Sequence, residues 1–355
     1  MNNSREVWAP AAVGVAVIGY GYWGPNLVRN FATSENSRVV AVSDLDPAKL
    51  AVSKRRHPEV ETTCNFKELL QNPKIDAVAI ATPVHTHFEL ALAALNAGKH
   101  VLVEKPFAQT SEQARRLIDE ANRRGLTLMV DHTFLYTPAV QKIRELVLQS
   151  QLGEVYYYDS TRSSLGLFQS DVNVIWDLVT HDLAILDYLM DGRMPVTASC
   201  TGMAHFGSRL ADLAYLTLRY EHDFIAHINV NWLAPMKVRQ VLLCGDKRML
   251  LYDDNSASEK IKVYDSGVSI RHVEDLYQSL VQYRLGDMYA PRLDNDEALT
   301  IEASSIVEVL HGHERPVCDG AAGTRIVSIL EAADYSLRLS GQPVDLEESG
   351  RLAAV

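Results

Sequence analysis

The sequence predicts an α/β Rossmann domain, a doubly wound parallel sheet, followed by an α+β domain with a large, open, mainly antiparallel sheet. Three observations predict it. Short apolar runs alternate with amphipathic stretches over residues 13–131, a glycine-rich turn follows the first run, and beyond Gly153 the runs follow one another with period-two alternation and short joins. Unbroken apolar strands separated by helices form parallel sheets covered on both faces, whereas alternating strands keep one face wet.

Taken in order, strands are expected at 13–18 (VGVAVI), 38–43 (RVVAVS), 77–81 (AVAIA), 100–104 (HVLVE) and 126–130 (LTLMV), with helices at 25–32, 47–56, 66–71, 86–97 and 111–124. A helix over 137–149, with Pro138 in its first turn, carries the chain out of this domain. The next strands are expected at 154–162, 196–203, 212–220, 223–232 and 237–245, with "YEHD" at 220–223 as a hairpin turn, and two helices close the chain. The domains are thus 1–133, for the cofactor, and 134–355, for substrate and oligomerisation.

Composition excludes several classes of function. The chain has 355 residues, enough for two cores, with 47% hydrophobic and 22% charged residues. A net charge of -11 and no basic stripe argue against a nucleic acid partner. No window offers the roughly 18 apolar residues of a membrane span, and the first residues have no basic start leading into an apolar core, so no secretory signal is expected. Four scattered cysteines, Cys64, Cys200, Cys244 and Cys318, suggest neither a disulfide framework nor a zinc site. A cytoplasmic location is expected.

"GYGYWG" at 19–24 places Gly19, Gly21 and Gly24 at GxGxxG spacing between a strand and a helix. The first glycine makes the turn, the second admits a pyrophosphate, and the third lets the helix pack closely. The second strand ends at Asp44, 20 residues beyond Gly24, where a carboxylate accepts ribose hydroxyls and repels a 2′-phosphate. NAD is the expected cofactor. Ligands sit at the carboxyl ends of such strands, where "ATPVHTH" (81–87) and "EKP" (104–106) are found. Tyr22, Trp23, Thr82, Pro83, His87, Glu104 and Lys105 are therefore expected around the cofactor.

With "WDLVTHDLAILDYL" at 176–189, these motifs run in one order over nearly the whole chain and resemble the glucose-fructose oxidoreductase and inositol dehydrogenase family, Gfo/Idh/MocA. The resemblance implies hydride transfer between a nicotinamide and a sugar or cyclitol carbon, with Lys105, Asp177 and His181 at the family's catalytic positions. Two stretches depart from the family's pattern: "SDVNVIWD" replaces a glycine-rich approach, and "HTFLYTPAV" lacks an arginine common elsewhere. The chain is most similar to bacterial nucleotide-sugar 3-dehydrogenases, which implies oxidation at carbon 3 of a UDP-N-acetylhexosamine. The alternatives are a dehydrogenase of a free sugar or inositol, a 3-ketoreductase of another nucleotide sugar, or, in a different class, a non-catalytic NAD-binding regulator.

The residues support that chemistry independently. Asp177 and His181, four apart, share a helix face. Histidine titrates near neutrality and suits removal of a hydroxyl proton as hydride leaves the same carbon. Lys105 is suited to hold the reacting oxygen, and Asp177 to accept a neighbouring hydroxyl. The bland alternative makes Asp177 a helix cap and His181 a core residue. Trp232 and Arg239 have two readings each: contacts to sugar or pyrophosphate, or sheet core and subunit contact. His85 and His87 form an HxH, but no third ligand stands at a telling spacing, so no metal is expected. The open sheet needs cover, so a homodimer or homotetramer is expected.

Overall fold

Val13–Ile18 (β1) is a run of six apolar or small residues, all buried, and such a strand is stable only in the middle of a sheet. The computed structural model, which describes residues 12–166, 172–206, 210–272 and 279–346, places it there. The N-terminal stretch considered above as a possible signal, and Ser170 and Asp171 of "SDVNVIWD", lie outside the described residues.

The first sheet adds Ser37–Ser43 (β2), Glu61–Thr63 (β3), Ala77–Ile80 (β4), His100–Glu104 (β5) and Leu128–Asp131 (β6), in the order β3-β2-β1-β4-β5-β6 with every neighbour parallel. Helices Gly24–Thr33 (α1), Pro47–Arg56 (α2), Phe66–Gln71 (α3), His87–Asn96 (α4) and Ser111–Arg124 (α5) connect the strands. Their starts follow the sequence. Asp46 accepts from Ala48 N, Asn65 from Lys67 N and Thr110 from Gln113 N, each capping its helix, while Gly125 at φ 66° ends α5. The order reverses between β1 and β4, so the carboxyl ends of these two strands form the switch point where a dinucleotide binds.

One compact unit comprises Met1–Tyr136 together with Asp296–Gly323. The sequence-based division at 133/134 is therefore amended: the first boundary falls three residues later, and a segment near the far end of the chain returns to the nucleotide unit. That segment carries Ala298–Leu310 (α8), which packs on α1. No local pattern distinguishes such a helix from one in the second unit.

The second unit comprises Thr137–Asn295 and Thr324–Val355. It holds Pro138–Leu148 (α6), capped by Thr137, and Thr180–Leu189 (α7). Among the described residues its sheet has nine strands. Val155–Leu165 (β7), Thr197–Met203 (β8), Leu213–Arg219 (β9), Ile225–Asn231 (β10) and Leu233–Gly245 (β11) were expected from sequence; Met249–Asp253 (β12), Ile261–His272 (β13), Ser279–Tyr289 (β14) and Val344–Asp345 (β15) were not. The order is β14-β13-β12-β11-β7-β10-β9-β8-β15, antiparallel except where β10 runs parallel to β7. Asp223 and His222, both near φ 60°, make the turn at "YEHD".

Alternation divides the sheet cleanly. Tyr158, Ser160, Arg162, Leu216, Ile228 and Leu243 are buried on one face, while Tyr157, Tyr215, Ile225 and Leu242 are exposed on the other. Among the described residues no helix is long and apolar enough to cross a membrane.

Candidate active site

The expected cofactor residues gather at the carboxyl edge of the parallel sheet. Gly19 has φ +97°, and a Cβ there would stand 2.4 Å from the Ala81 carbonyl oxygen. A Cβ on Gly24 would stand 2.0 Å from the Gly19 carbonyl oxygen, whereas one on Gly21 would meet nothing within 4 Å. The first and third glycines are thus required by the protein's own packing. The second faces open space beside the start of α1, as a turn that receives a pyrophosphate should. Asp44 closes the turn: Oδ2 accepts from Tyr20 N at 2.7 Å and Oδ1 from Asp46 N at 2.9 Å, with Lys49 Nζ 3.7 Å from Oδ2. Tyr22 is 89% exposed beside the half-buried Trp23. The residues present fit a dinucleotide.

Thr82 and Pro83 follow β4, Glu104 ends β5 and Lys105 follows it. His87 corrects the expectation that placed it against the nicotinamide. It is 1% exposed, with Nδ1 2.9 Å from the Pro106 carbonyl oxygen and Nε2 2.7 Å from that of Thr82. It braces one strand end against the other, and burial lowers its pKa. His85 is exposed.

The remaining candidates are on the second unit. Asp177 and His181 do not share a regular α-helix: Ile175–Val179 forms a π-helical turn that runs into α7. Such turns are frequent at functional sites because they re-aim one side chain without ending the helix. Both residues are half-buried. Trp232 is 2% exposed and donates its indole N–H to Asp177 Oδ2 at 3.1 Å, which agrees with its reading as sheet core. Arg239 Nη1 donates to Asp254 Oδ2 at 3.2 Å. Beneath His181, the next residue, Asp182, accepts from buried Arg162 at 2.7 Å and ties α7 to β7. Breaking such a pair from one side costs about 3–5 kcal/mol.

Two family models match the chain: one described as an oxidoreductase family with an NAD-binding Rossmann fold, over residues 13–132, and one described as the GFO/IDH/MocA C-terminal domain, over 140–251. The chain belongs to the Gfo/Idh/MocA oxidoreductase family. Among its relatives is the UDP-N-acetylglucosamine 3-dehydrogenase of Acidithiobacillus ferrooxidans, 28% identical over 257 residues, which are 72% of this chain and 76% of that enzyme. A solved structure of that enzyme covers 93% of this chain and 99% of its own at a TM-score of 0.77 and 26% identity. A 2,7-anhydro-N-acetylneuraminate hydratase of Mediterraneibacter gnavus is 23% identical over 95% of this chain and 97% of its own length. The Bordetella pertussis WlbA dehydrogenase, solved with NADH and UDP-GlcNAcA, shares the fold at a TM-score of 0.78 and 17% identity over 95% of this chain and 98% of its own.

This Gfo/Idh/MocA oxidoreductase uses NAD. Its structure also shows groups that sequence reasoning missed. Trp176 Nε1 and Asn173 Nδ2 both donate to Asp334, fixing the entry to the π-helical turn. In the nucleotide unit Asp131, His132 and Glu302 are buried; burial raises the pKa of Asp131 against a smaller opposing pull from Lys105, and burial, with Lys105 contributing, pushes His132 down to about 3. The neighbouring positions of Glu104 and Asp131 follow from adjacent parallel strand ends, and only that register was open to prediction.

Proposed function

We propose that the protein oxidises the carbon 3 hydroxyl of a UDP-N-acetylhexosamine to the 3-keto sugar, with NAD as acceptor. The observation that carries this reading is the pair formed by half-buried Asp177 and His181, braced by Trp232 and by the Arg162–Asp182 ion pair, in a chain of an NAD oxidoreductase family. The similarity to a UDP-N-acetylglucosamine 3-dehydrogenase supports the choice of sugar.

Bound NAD supplies the hydride acceptor. His181 takes the hydroxyl proton on its imidazole. Lys105 places its ammonium at the oxygen where negative charge develops, and Asp177 accepts a neighbouring hydroxyl and so orients the ring. Trp232 holds Asp177 in place. The second unit, Thr137–Asn295 with Thr324–Val355, is assigned to the substrate. A second copy of the chain is assigned to the open sheet face around Tyr157, Tyr215, Ile225 and Leu242, giving a homodimer or a tetramer built from it. Four free cysteines, three of them buried, suit a reducing compartment such as the cytoplasm.

The similarity to a levoglucosan dehydrogenase, 28% identical over 44% of this chain, favours a second reading, a dehydrogenase of a free sugar or inositol. Incubation with NAD and a panel of free and nucleotide-linked sugars, followed by nicotinamide absorbance, separates the two. Turnover confined to UDP-N-acetylhexosamines supports the first; turnover of free sugars alone selects the second. Tight NAD binding with no turnover of any sugar would indicate a regulator.

A further inference from the structure

Among the described residues, the nucleotide unit buries two neighbouring carboxyl groups, Glu302 and Asp131. Glu302, on α8, is 2% exposed, and among the described residues no donor stands within hydrogen-bond geometry of either of its carboxyl oxygens. Its neighbour Asp131, at the end of β6 and equally buried, receives two: Trp23 Nε1–H at 2.7 Å and Thr133 Oγ1–H at 2.8 Å. Glu104 stands beside Asp131 on β5, and Lys105 is the cation that faces the group. His132, Tyr136 and Cys318 complete the titratable surroundings.

Two ionised carboxylates offer only acceptors to each other, so a buried contact between them is a hydrogen bond only when one is protonated. Burial first, and then the charge of Asp131, pushes Glu302 well above the usual carboxyl range; burial also raises Asp131, against the pull of its two donors. The proton therefore belongs on Glu302, whose O–H donates to Asp131, and the remaining charge sits on Asp131, where the donors are. Trp23, in turn, is the residue from which α1 starts: its carbonyl accepts from Asn26 N at 2.8 Å, while its side chain gives the helix no cap. The indole bond to Asp131 ties the residue before α1 to the end of β6, at a helix start of the kind that binds phosphates.

We propose that Glu302 and Asp131 form a buried carboxyl pair sharing one proton, which holds Trp23 and so positions the glycine-rich turn for NAD. Glu302 and Asp131 are positioning residues that act through Trp23. The proposal explains why the segment Asp296–Gly323 returns to the nucleotide unit: it delivers the proton-bearing partner. It rests on the NAD assignment and not on the choice of sugar, so its test needs no substrate.

Two measurements on the full chain test it. Infrared spectroscopy at neutral pH should show a protonated carboxyl stretch that disappears in Glu302→Gln; absence of that band, or its persistence in the variant, overturns the shared proton. Calorimetric titration with NAD should show Kd raised about tenfold or more in Glu302→Leu and Asp131→Ala. Glu302→Gln, which restores a donor, should recover most of the loss. Where Glu302→Leu fails to fold, Trp23→Phe removes the donated N–H without touching the acids. It should weaken NAD about tenfold, and Glu302→Gln added to it should change affinity no further. Unchanged NAD affinity in folded Trp23→Phe, or in folded Glu302→Leu, overturns the positioning role. Failure of every sugar panel would leave both measurements intact and would count only against the substrate.

Discussion

Replacing Asp44 by asparagine tests how the chain selects its cofactor. The carboxylate is nearly buried and is held by two backbone N–H groups, so its charge is fixed at the turn and not free to swing away. Two unit charges about 5 Å apart interact by about 1 to 3 kcal/mol for effective dielectric constants between about 80 and 20. A 2′-phosphate carries more than one charge, while Lys49, 3.7 Å from Asp44, offsets part of the repulsion. The balance predicts NAD binding at least about tenfold tighter than NADP, which is about 1.4 kcal/mol. Asp44→Asn keeps an oxygen for Tyr20 N but removes the charge, and should narrow the gap about tenfold, chiefly by strengthening NADP. Lys49→Ala should widen it. Calorimetric titration of both dinucleotides at low and high salt checks this, since the difference should shrink as screening rises. Equal affinities in the unaltered protein, or a ratio unmoved by Asp44→Asn, would refute the reasoning.

The remaining predictions concern the catalytic residues and the buried histidines. His181→Asn and Lys105→Met should each lower kcat by about 100-fold or more, with NAD affinity barely changed. Combined, they should lose less than the product of the two, as for groups acting on one proton transfer; near-native kcat in either folded variant would make that residue structural. His132, held neutral to about pH 3, refuses a proton that the unfolded chain accepts below about 6.5, so it contributes stability at neutral pH that is lost as pH falls. In urea denaturation, His132→Asn should reduce the stability difference between pH 7 and pH 5 by about 2 kcal/mol, at about 1.4 kcal/mol per pH unit. An undiminished difference would show that His132 protonates in the folded state.

The sequence exposed some of this architecture and concealed the rest for physical reasons. The parallel strands were legible because each is an unbroken apolar run with a helix on either side. β3 was not: Glu61–Thr63 is a short polar edge strand, and its partner supplies the order. β13 and β14 mix glycine, serine and charged residues with apolar ones, so neither shows clean alternation.

At the site, motifs carried by one short segment were readable, and contacts between distant segments were not. The three glycines and Asp44 could be placed from spacing alone. Trp232 and Asp177 are 55 residues apart, and nothing in either stretch announces the bond between them. Glu302 lies in "TIEASSI", where a glutamate ordinarily faces water. The π-helical turn at Asp177 was hidden for another reason: "IWDLV" satisfies an α-helical pattern equally well, and tertiary contacts of Asn173 and Trp176 with Asp334 select the wider turn.

The central claim is that hydride leaves carbon 3 of a nucleotide-linked N-acetylhexosamine for NAD. UDP-N-acetylglucosamine deuterated at carbon 3, incubated with the protein and NAD, tests it most directly by mass spectrometry of both products. The account predicts that the deuterium moves to the reduced nicotinamide and that the sugar product is its 3-keto form without the label. Reduced nicotinamide that carries no deuterium, or deuterium retained in an oxidised sugar, would contradict it.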